Sequence, residues 1–501
     1  MLSLSGCQFY KSINKASEAD NIVIKIIQIN DVYEIDAINS GKNGGLARVA
    51  HISDSIKSNY PNTWFLLAGD FVNPSLLGTI KYEGERLQGR QMIEVLNKSG
   101  LDLATFGNHE FDIKEADLQK RMNESYFKWT SANVQHVYSD GKQMPFYKIN
   151  NHDTIPVSDF EIYKASNASG QSVNFGVISV TIPSNPKDFV HYGDIYEDAE
   201  RAYNLAASKS EFVLGLTHVS IEQDKEIARK LPNIPLIMGG HEHNNMKHTV
   251  GKTVITKADA NVVSLYLHTL NYNVKNKSLK INSQLIKVND SYPANPEVQK
   301  VVNKWNQVLD ENLKTLIDNP NQIVYQAKTP LDGTDEASRS VQTNLGGIIC
   351  RSMSFAYNDM VDGAITNGGG IRIDDKLSGS ISAKDIFRIL PFGGQVLLVE
   401  MKGKLLKEVL AFGVKAVGNG AYLQRDNIDQ NKKGQWVING NVILDNRVYK
   451  IAINDFLLTG LDIPFLKKDA PGIIKIHTPN ETDMAGDLRK SIIHYLKAGK
   501  S

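Results

Sequence analysis

Five short apolar runs in the first half of the chain each end on residues that ligate metals or move protons. Asn30-Asp31-Val32-Tyr33 follows residues 22–29, and Gly69-Asp70 follows residues 64–68. Gly107-Asn108-His109-Glu110-Phe111-Asp112 follows residues 103–106. Thr217-His218 follows residues 212–216, and Gly239-Gly240-His241-Glu242-His243 follows residues 236–238. Apolar runs of this length, bounded by Gly and Asn, read as buried strands. In open α/β sheets ligands collect at the carboxyl ends of the strands, so all five tips can converge on one crevice. They would place carboxylates, imidazoles and one carboxamide there, with no thiolate. That hard oxygen and nitrogen set suits Zn, Mn, Fe, Co or Mg rather than copper or an iron–sulfur cluster.

From residue 22 to about 288 short apolar runs alternate with amphipathic stretches, the pattern of an α/β fold. Val49, Ile52 and Ile56 recur at helical spacing, as do Met92, Val95 and Leu96. Residues 289–296 are polar and proline-bearing and end the sheet pattern. A helix follows, with Asn295 as its cap and Pro296 in its first turn. Val298, Val301, Val302, Trp305, Val308, Leu309, Leu313, Leu316 and Ile317 fall on one stripe of it, and Asn319-Pro320 is expected to stop it. Placed between two chemically distinct halves, it reads as an interdomain connector. The second half is rich in Gly and β-branched residues, with strand candidates at 364–366, 396–401 and 449–453. At 501 residues the chain is too long for one ordinary core. The expected divisions are a tether or remnant signal at 1–21, a first domain at 22–288, a linker at 289–321 and a second domain at 322–501.

Lys and Arg number 56 against 55 Asp and Glu, so the net charge of +1 provides no global field for a nucleic acid polymer. No apolar run approaches the roughly 20 residues of a membrane span. Two cysteines, Cys7 and Cys350, are too few for a disulfide framework. Cys350 follows an apolar, helix-like segment and reads as an inert core thiol. Leu4-Ser5-Gly6-Cys7 resembles the lipobox of bacterial lipoproteins, and the polar run at 8–21 has the character of a tether. Only six residues precede Cys7, fewer than a signal peptide needs. The expectation is an extracytoplasmic protein, in the periplasm or at the cell surface, joined to membrane only through a lipid on Cys7. A cytoplasmic location is the alternative.

Taken singly, each of the five tips has an ordinary explanation: a Gly-Asp is a turn, and a lone histidine sits on the surface or is hydrogen-bonded in a core. Gly-His-Glu-His, however, sets two imidazoles two residues apart at a strand end, where two metals side by side would use both. All five in this order resemble the calcineurin-like metallophosphoesterases and, more narrowly, the 5′-nucleotidase family. The resemblance implies an N-terminal β-sandwich flanked by helices, a linker helix and a smaller α+β nucleotide-binding domain. It further implies two divalent metal ions (Zn, Mn, Co or Mg, with iron an option at the first site). Asp70 would bridge them, Asp31 and His243 would complete the first site, and Asn108, His218 and His241 the second. His109, oriented by Asp112, would form the catalytic dyad beside the scissile phosphate. One position departs from the family's Asp-x-His, because Tyr33 stands where the imidazole is usual. A neutral phenol is a poor ligand for Zn, so the first site is expected to be weaker and completed by water.

In the second half, Asn367-Gly368-Gly369-Gly370-Ile371-Arg372 is a glycine-rich turn ending in a guanidinium. Glycines let backbone approach an anion or sugar, and Arg suits bidentate anion contacts. Phe392 and Phe456 each stand beside flexible backbone; alone, either reads more readily as core. Together these segments resemble the C-terminal domain of 5′-nucleotidases. On that resemblance Phe392 and Phe456 sandwich the base, Asp462 holds the ribose hydroxyls, and Arg339, Asn367, Gly369 and Arg372 line the pocket. Leu461 stands where the family usually has Gly, which would narrow the approach to Asp462. The implied activity is metal-dependent cleavage of nucleoside 5′-monophosphates, with domain closure around a small nucleotide. Alternatives are a UDP-sugar diphosphatase, a 2′,3′-cyclic-nucleotide phosphodiesterase with 3′-nucleotidase activity, or a catalytically decayed nucleotide binder.

Overall fold

The structure, a computed structural model, describes residues 20–499 apart from 40, 152, 185 and 374. Cys7 and most of the expected tether lie outside the described residues. The chain divides into two compact units, one running to Val308 and one from Leu309 onward.

In the first unit, β1 (Asn21–Ile29), β2 (Thr63–Ala68), β3 (Leu103–Thr105) and β4 (Lys128–Thr130) form most of one sheet. The chain then builds a second sheet from β5 (Phe160–Ser166), β6 (Ser172–Ile178), β7 (Phe212–Thr217), β8 (Leu236–Gly239), β9 (Met246–Val250) and β10 (Thr253–Lys257). It returns to the first sheet with β11 (Ser264–Asn273) and β12 (Ser278–Lys287). The strand orders are β12-β11-β1-β2-β3-β4 and β5-β6-β7-β8-β10-β9. β1 through β4 run parallel, as do β6, β7, β8 and β10, so their carboxyl ends gather at one edge of each sheet.

The alternation along β1 explains the sandwich. Ile22, Ile24 and Ile26 enter the core between the sheets, where they meet Phe175 and Val177 of β6, Leu214 and Leu216 of β7 and Met238 of β8. Helices cover the outside. α1 (Leu46–Asn59) lies against β2, and α2 (Arg90–Lys98) buries Met92, Val95 and Leu96 at the spacing read from the sequence. α3 (Ile195–Ala207) and α4 (Ile221–Lys230) pack Ala199, Ala202, Ala206 and Ile227 on Val213, Ile237 and Ile255 of the second sheet.

Gln28 continues the inward series of β1 but is polar. Its amide donates to the carbonyls of Gly239 and Thr256 at 3.0 and 2.9 Å. Its oxygen accepts from Thr256 Oγ1 at 2.7 Å and faces His268 Nε2 at 2.9 Å. His268 Nδ1 lies 2.8 Å from Ser283 Oγ, so a neutral ring satisfies both nitrogens. Burial, aided by the Lys247 charge, pushes this imidazole down to about 3. In the unfolded chain it titrates near the usual value of about 6.5. Between those values the unfolded chain binds a proton that the folded one refuses. The stability His268 contributes is therefore complete above about pH 6.5 and lost as pH falls toward 3. Across that window the wild type is expected to lose up to about 1.4 kcal/mol per pH unit more than His268→Gln. Denaturant unfolding at several pH values checks this, and parallel pH profiles would refute it.

α5 (Pro296–Lys314) begins as its sequence indicates, with Asn295 Oδ1 accepting from the amides of Glu297 and Val298 at 2.9 and 3.1 Å. Its Trp305 is fully buried and donates from Nε1 to Glu94 of α2 at 3.0 Å. The helix ends at Lys314 rather than at Asn319-Pro320. The amides of Thr315, Leu316 and Ile317 close on Asn312 and Leu313 in a terminal turn, and Leu316 is exposed. Without an apolar surface for Leu316 to bury, periodicity alone did not carry the helix on.

The second unit is α+β. Its sheet contains β13 (Gly363–Asn367), β14 (Val396–Lys402), β15 (Leu423–Asp426), β16 (Val448–Asn454) and β17 (Ile473–His477), in the order β15-β13-β16-β14-β17. α6 (Asn344–Phe355) packs against α8 (Leu488–Lys497) and β13, while α7 (Gly403–Lys415) lays Leu405, Leu406, Val409 and Leu410 into a core with Ile365, Val399 and Ile451. Cys350 is fully buried on α6, and that burial pushes its thiol well above the ordinary range, as suits an inert core residue.

Candidate functional site

The tips of the parallel strands in the first unit meet across the sandwich edge. The Asp31 amide donates to Gly69 O at 3.1 Å, and Val32 to Asp70 O at 2.8 Å, joining the ends of β1 and β2. Asp31 Oδ2 accepts from the backbone of His241 at 3.0 Å, which ties β1 to the turn after β8. Asp70 Oδ1 accepts from the backbone of His109 at 2.8 Å, which ties β2 to the turn after β3. Approach there is so close that a Cβ on Gly107 would lie 2.1 Å from Asp70 Oδ1.

Asp31, Asp70 and His218 are buried, and each offers a ligand atom within 4.8 Å of the others'. His218 Nδ1 donates to Ala68 O at 2.8 Å, and its Nε2 lies 3.1 Å from Asp70 Oδ2. The imidazole is thus oriented with Nε2 toward the carboxylates. Burial opposes a charge on His218, yet Asp70 and Asp31 outweigh it and raise the imidazole to about 10. Both carboxyls, despite burial, are held below the ordinary range by their histidines. Two buried anions therefore demand positive charge at this point, which a divalent cation can supply. Burial, then the His218 charge, pushes His241 down to about 4, so its ring is neutral and its lone pair available near pH 7. The donor set fits a metal.

His243 Nε2 lies 3.3 Å from Asp31 Oδ1, and the rings of His218 and His241 meet edge-on at 5.4 Å. The Gly-His-Glu-His segment leaves the strand at once, because His241 takes a left-handed φ of 83°. The backbone, not the period of a strand, lets both imidazoles reach the crevice. Asn108 is buried at the tip after β3. His109 Nδ1 donates to Asp112 Oδ2 at 2.7 Å, and Asn73 Nδ2 donates to the same oxygen at 3.3 Å. The eight residues expected from the sequence are thus assembled around one edge of the sandwich. Tyr33 joins them: its hydroxyl lies 3.1 Å from His243 Nε2, 3.3 Å from Asp70 Oδ2 and 3.5 Å from Asp31 Oδ1.

Sequence reasoning missed the role of Glu110. Its fully buried carboxylate accepts from the amides of Asp70, Phe71, Val72 and Gly107 at 2.9, 2.7, 3.0 and 2.6 Å. It clamps the turns after β2 and β3 together. Burial and the neighbouring Asp70 push it up to about 7 even against those four amides. The signal was present, since a carboxylate directly after Asn-His in a buried turn must find donors, but its partners are distant in sequence.

In the second unit Asn367 ends β13 and donates from Nδ2 to Asp462 Oδ2 at 2.8 Å. Its Oδ1 accepts from Asn454, the last residue of β16, at 3.0 Å. Burial raises the Asp462 carboxyl, while Asn367, Arg372 and Arg339 oppose that rise. Arg339 is held by Asp335 at 2.6 Å. The Arg372 guanidinium stands 5.7 Å from the Phe392 ring centroid, and Gly369 backs so closely on Gly420 that a Cβ would come within 2.7 Å of its Cα. Phe392 precedes β14 and Phe456 follows β16, and the pairing of Val396 with Asn454 puts both at one end of the sheet. They are 59% and 38% exposed, which rules out the core reading. Leu461 is 74% exposed.

Comparison with known proteins agrees with this geometry. The model of the calcineurin-like phosphoesterase family matches residues 24–245, and that of the 5′-nucleotidase C-terminal domain matches residues 323–468. The chain is 27% identical over 471 residues to the trifunctional nucleotide phosphoesterase protein YfkN of Bacillus subtilis (strain 168), covering 82% of this chain and 31% of that longer protein. It is 27% identical over 511 residues to the snake venom 5′-nucleotidase of Gloydius brevicauda, covering 89% of this chain and 82% of that one. The crystal structure of a 5′-nucleotidase precursor from Thermus thermophilus shares the fold, with a TM-score of 0.71 at 22% identity over 95% of this chain and 97% of that one. Sandwich, crevice and family match define a metal-dependent phosphoester hydrolase of the calcineurin-like class. Within that class the chain belongs to the 5′-nucleotidase family, which acts on small nucleotides.

Proposed function

We propose that the protein hydrolyses nucleoside 5′-monophosphates such as AMP to nucleoside and phosphate, with the chemistry in residues 22–288 and nucleoside recognition in residues 322–501. The observation that carries the nucleotide reading is the exposure of Phe392 and Phe456 at the sheet end that also holds Asn367, Asp462 and Arg372. Exposed aromatic faces cost stability in water and stack well on bases, at about 1–3 kcal/mol per base.

In this reading Asp70 would serve both of two divalent cations, Asp31 and His243 would help hold the first, and Asn108, His218 and His241 the second. When bound, the cations neutralise phosphate oxygens and provide hydroxide near neutral pH. Zn, Mn, Co or Mg suits the donors, with iron an option at the first site beside the Tyr33 phenol. His109 keeps its Nδ1 proton on Asp112, which leaves Nε2 to meet charge developing on the phosphate or to protonate the leaving oxygen. Asp462 receives the ribose hydroxyls, Arg339, Asn367, Gly369 and Arg372 line the pocket, and Phe392 and Phe456 take the base.

Phosphate release from AMP is expected to require divalent metal and to stop with a chelator. Phe392→Ala and Phe456→Ala should each raise KM for AMP by about tenfold, the lower part of the stacking range, while leaving hydrolysis of p-nitrophenyl phosphate nearly unchanged. Equal losses on both substrates would remove the nucleotide assignment. A second reading is hydrolysis of UDP-sugars or of 2′,3′-cyclic nucleotides; the Bacillus relative, named a trifunctional nucleotide phosphoesterase, favours activity on more than one nucleotide ester. Rates on AMP, UDP-glucose, 2′,3′-cyclic AMP and 3′-AMP separate the two.

We also propose an extracytoplasmic location with acylation of Cys7, on the strength of Leu4-Ser5-Gly6-Cys7 and of the venom relative. Among the described residues no helix is long and apolar enough to cross a membrane.

A further inference from the structure

Behind the histidine-bearing tips of β7 and β8 lies a cluster of charge that the reaction does not use. Lys257, the last residue of β10, is fully buried. A buried ammonium persists only when paired and hydrogen-bonded. Its Nζ donates to the Val219 carbonyl at 2.6 Å and to the Glu242 carboxylate, and it lies 3.0 Å from Asp224 Oδ2. Two hydrogen bonds and a further ion pair thus hold the ammonium.

These acceptors come from three separate segments. Val219 directly follows His218, Glu242 stands between His241 and His243, and Asp224 belongs to α4. Asp224 Oδ1 also accepts from Thr217 Oγ1 at 2.6 Å, on the other side of His218. Glu242 Oε1 accepts from the Ile221 amide at 2.5 Å, at the start of α4. The lysine stem runs beneath the end of β8, where a Cβ on Gly239 would come within 2.8 Å of Lys257 Cε. Each stretch that delivers a candidate histidine ligand is therefore bonded to Lys257 or to one of its two carboxylates.

We infer that Lys257 is a positioning residue for the metal centre: its ammonium locks the His241-Glu242-His243 turn against the Thr217-His218-Val219 strand end, so that cation affinity depends on it. The inference rests on the metal centre proposed above. Ligands held in place before the cation arrives lose little freedom on binding it, and outer partners that orient metal ligands typically account for about 10–100-fold in affinity. A lysine that served packing alone would change the stability of the metal-free protein and leave the affinity of the folded protein untouched.

The test is titration of metal-depleted full-length protein with Mn2+, followed by calorimetry, for the wild type, Lys257→Met, Lys257→Arg and Glu242→Gln, each checked for folding by circular dichroism. Lys257→Met is expected to bind Mn2+ about 10–100-fold more weakly, and Lys257→Arg to recover part of that loss. If Lys257→Met fails to fold, Glu242→Gln carries the test, since its side chain is a quarter exposed and only its charge is removed. An approximately tenfold weakening is expected there. A Kd within about twofold of wild type in folded Lys257→Met, or in Glu242→Gln where the methionine variant does not fold, overturns the inference while leaving the proposed function intact. A wild type that takes up no Mn2+ overturns the proposed function first, and this inference with it.

Discussion

His109→Ala is expected to lower kcat for AMP by about 10²–10⁴-fold with no loss of bound metal. The imidazole is held by a bond from Nδ1 to Asp112 at 2.7 Å, and its backbone amide donates to Asp70. Removing the ring therefore takes away a proton donor and a stabiliser of charge while the carboxylates and the other imidazoles stay where they are. His241→Ala should behave oppositely. Its ring is neutral and packs edge-on beside His218, so its loss should release metal from the second site and with it the activity. Metal analysis of both purified variants beside their kcat separates the two roles. Equal metal loss in both would show that His109 is a ligand and that the dyad has been assigned wrongly.

Glu110→Ala is expected to destroy the centre without touching a proposed ligand. Four amides now end on this one carboxylate, and alanine leaves them facing a buried void. Each unsatisfied buried donor costs about 1–3 kcal/mol. Even two left dry would remove about 2–6 kcal/mol from a domain whose whole stability is about 5–15 kcal/mol. The melting temperature should fall by roughly 10 °C, and metal uptake should fail because Asp70 and Asn108 sit on the two turns released. Glu110→Gln keeps one accepting oxygen but turns an amino group toward amide donors, so its loss should be intermediate. Calorimetric melting and metal content check both variants. An alanine variant with wild-type melting and metal content would show that the turns are held by other bonds.

Tyr33 and the two phenylalanines show how far local reasoning reaches. The tip at Asp31 predicts that a side chain two residues on can face the same crevice, and the Tyr33 hydroxyl does lie within 3.5 Å of Asp31, Asp70 and His243. Phe392 and Phe456 are ambiguous one at a time, because a phenylalanine beside glycine packs as readily as it stacks. Their exposure follows from strand pairing that brings the start of β14 beside the end of β16, which neither segment encodes alone.

The sequence by itself determined the local elements and which donor-bearing residues stand at their ends. Hydrophobic period and flanking Gly, Asn and Pro are local properties, so the strands that end at the five tips, the helices at Met92 and Asn295, and the candidate donors beside them could be read directly. Only the tertiary structure decided how those donors meet. Asp31, Asp70 and His241 adopt φ values of 52°, 56° and 83°, a left-handed backbone that side chains disfavour and that persists only where surrounding bonds enforce it. Those bonds run from Glu110 to the turn at Asp70, and from Lys257 to segments near His218 and His243. Such partners are set by which strands lie side by side and in what register. That is a property of the whole sandwich, because burying a carboxylate or an ammonium is stable only once the distant segments that satisfy it have already been brought together.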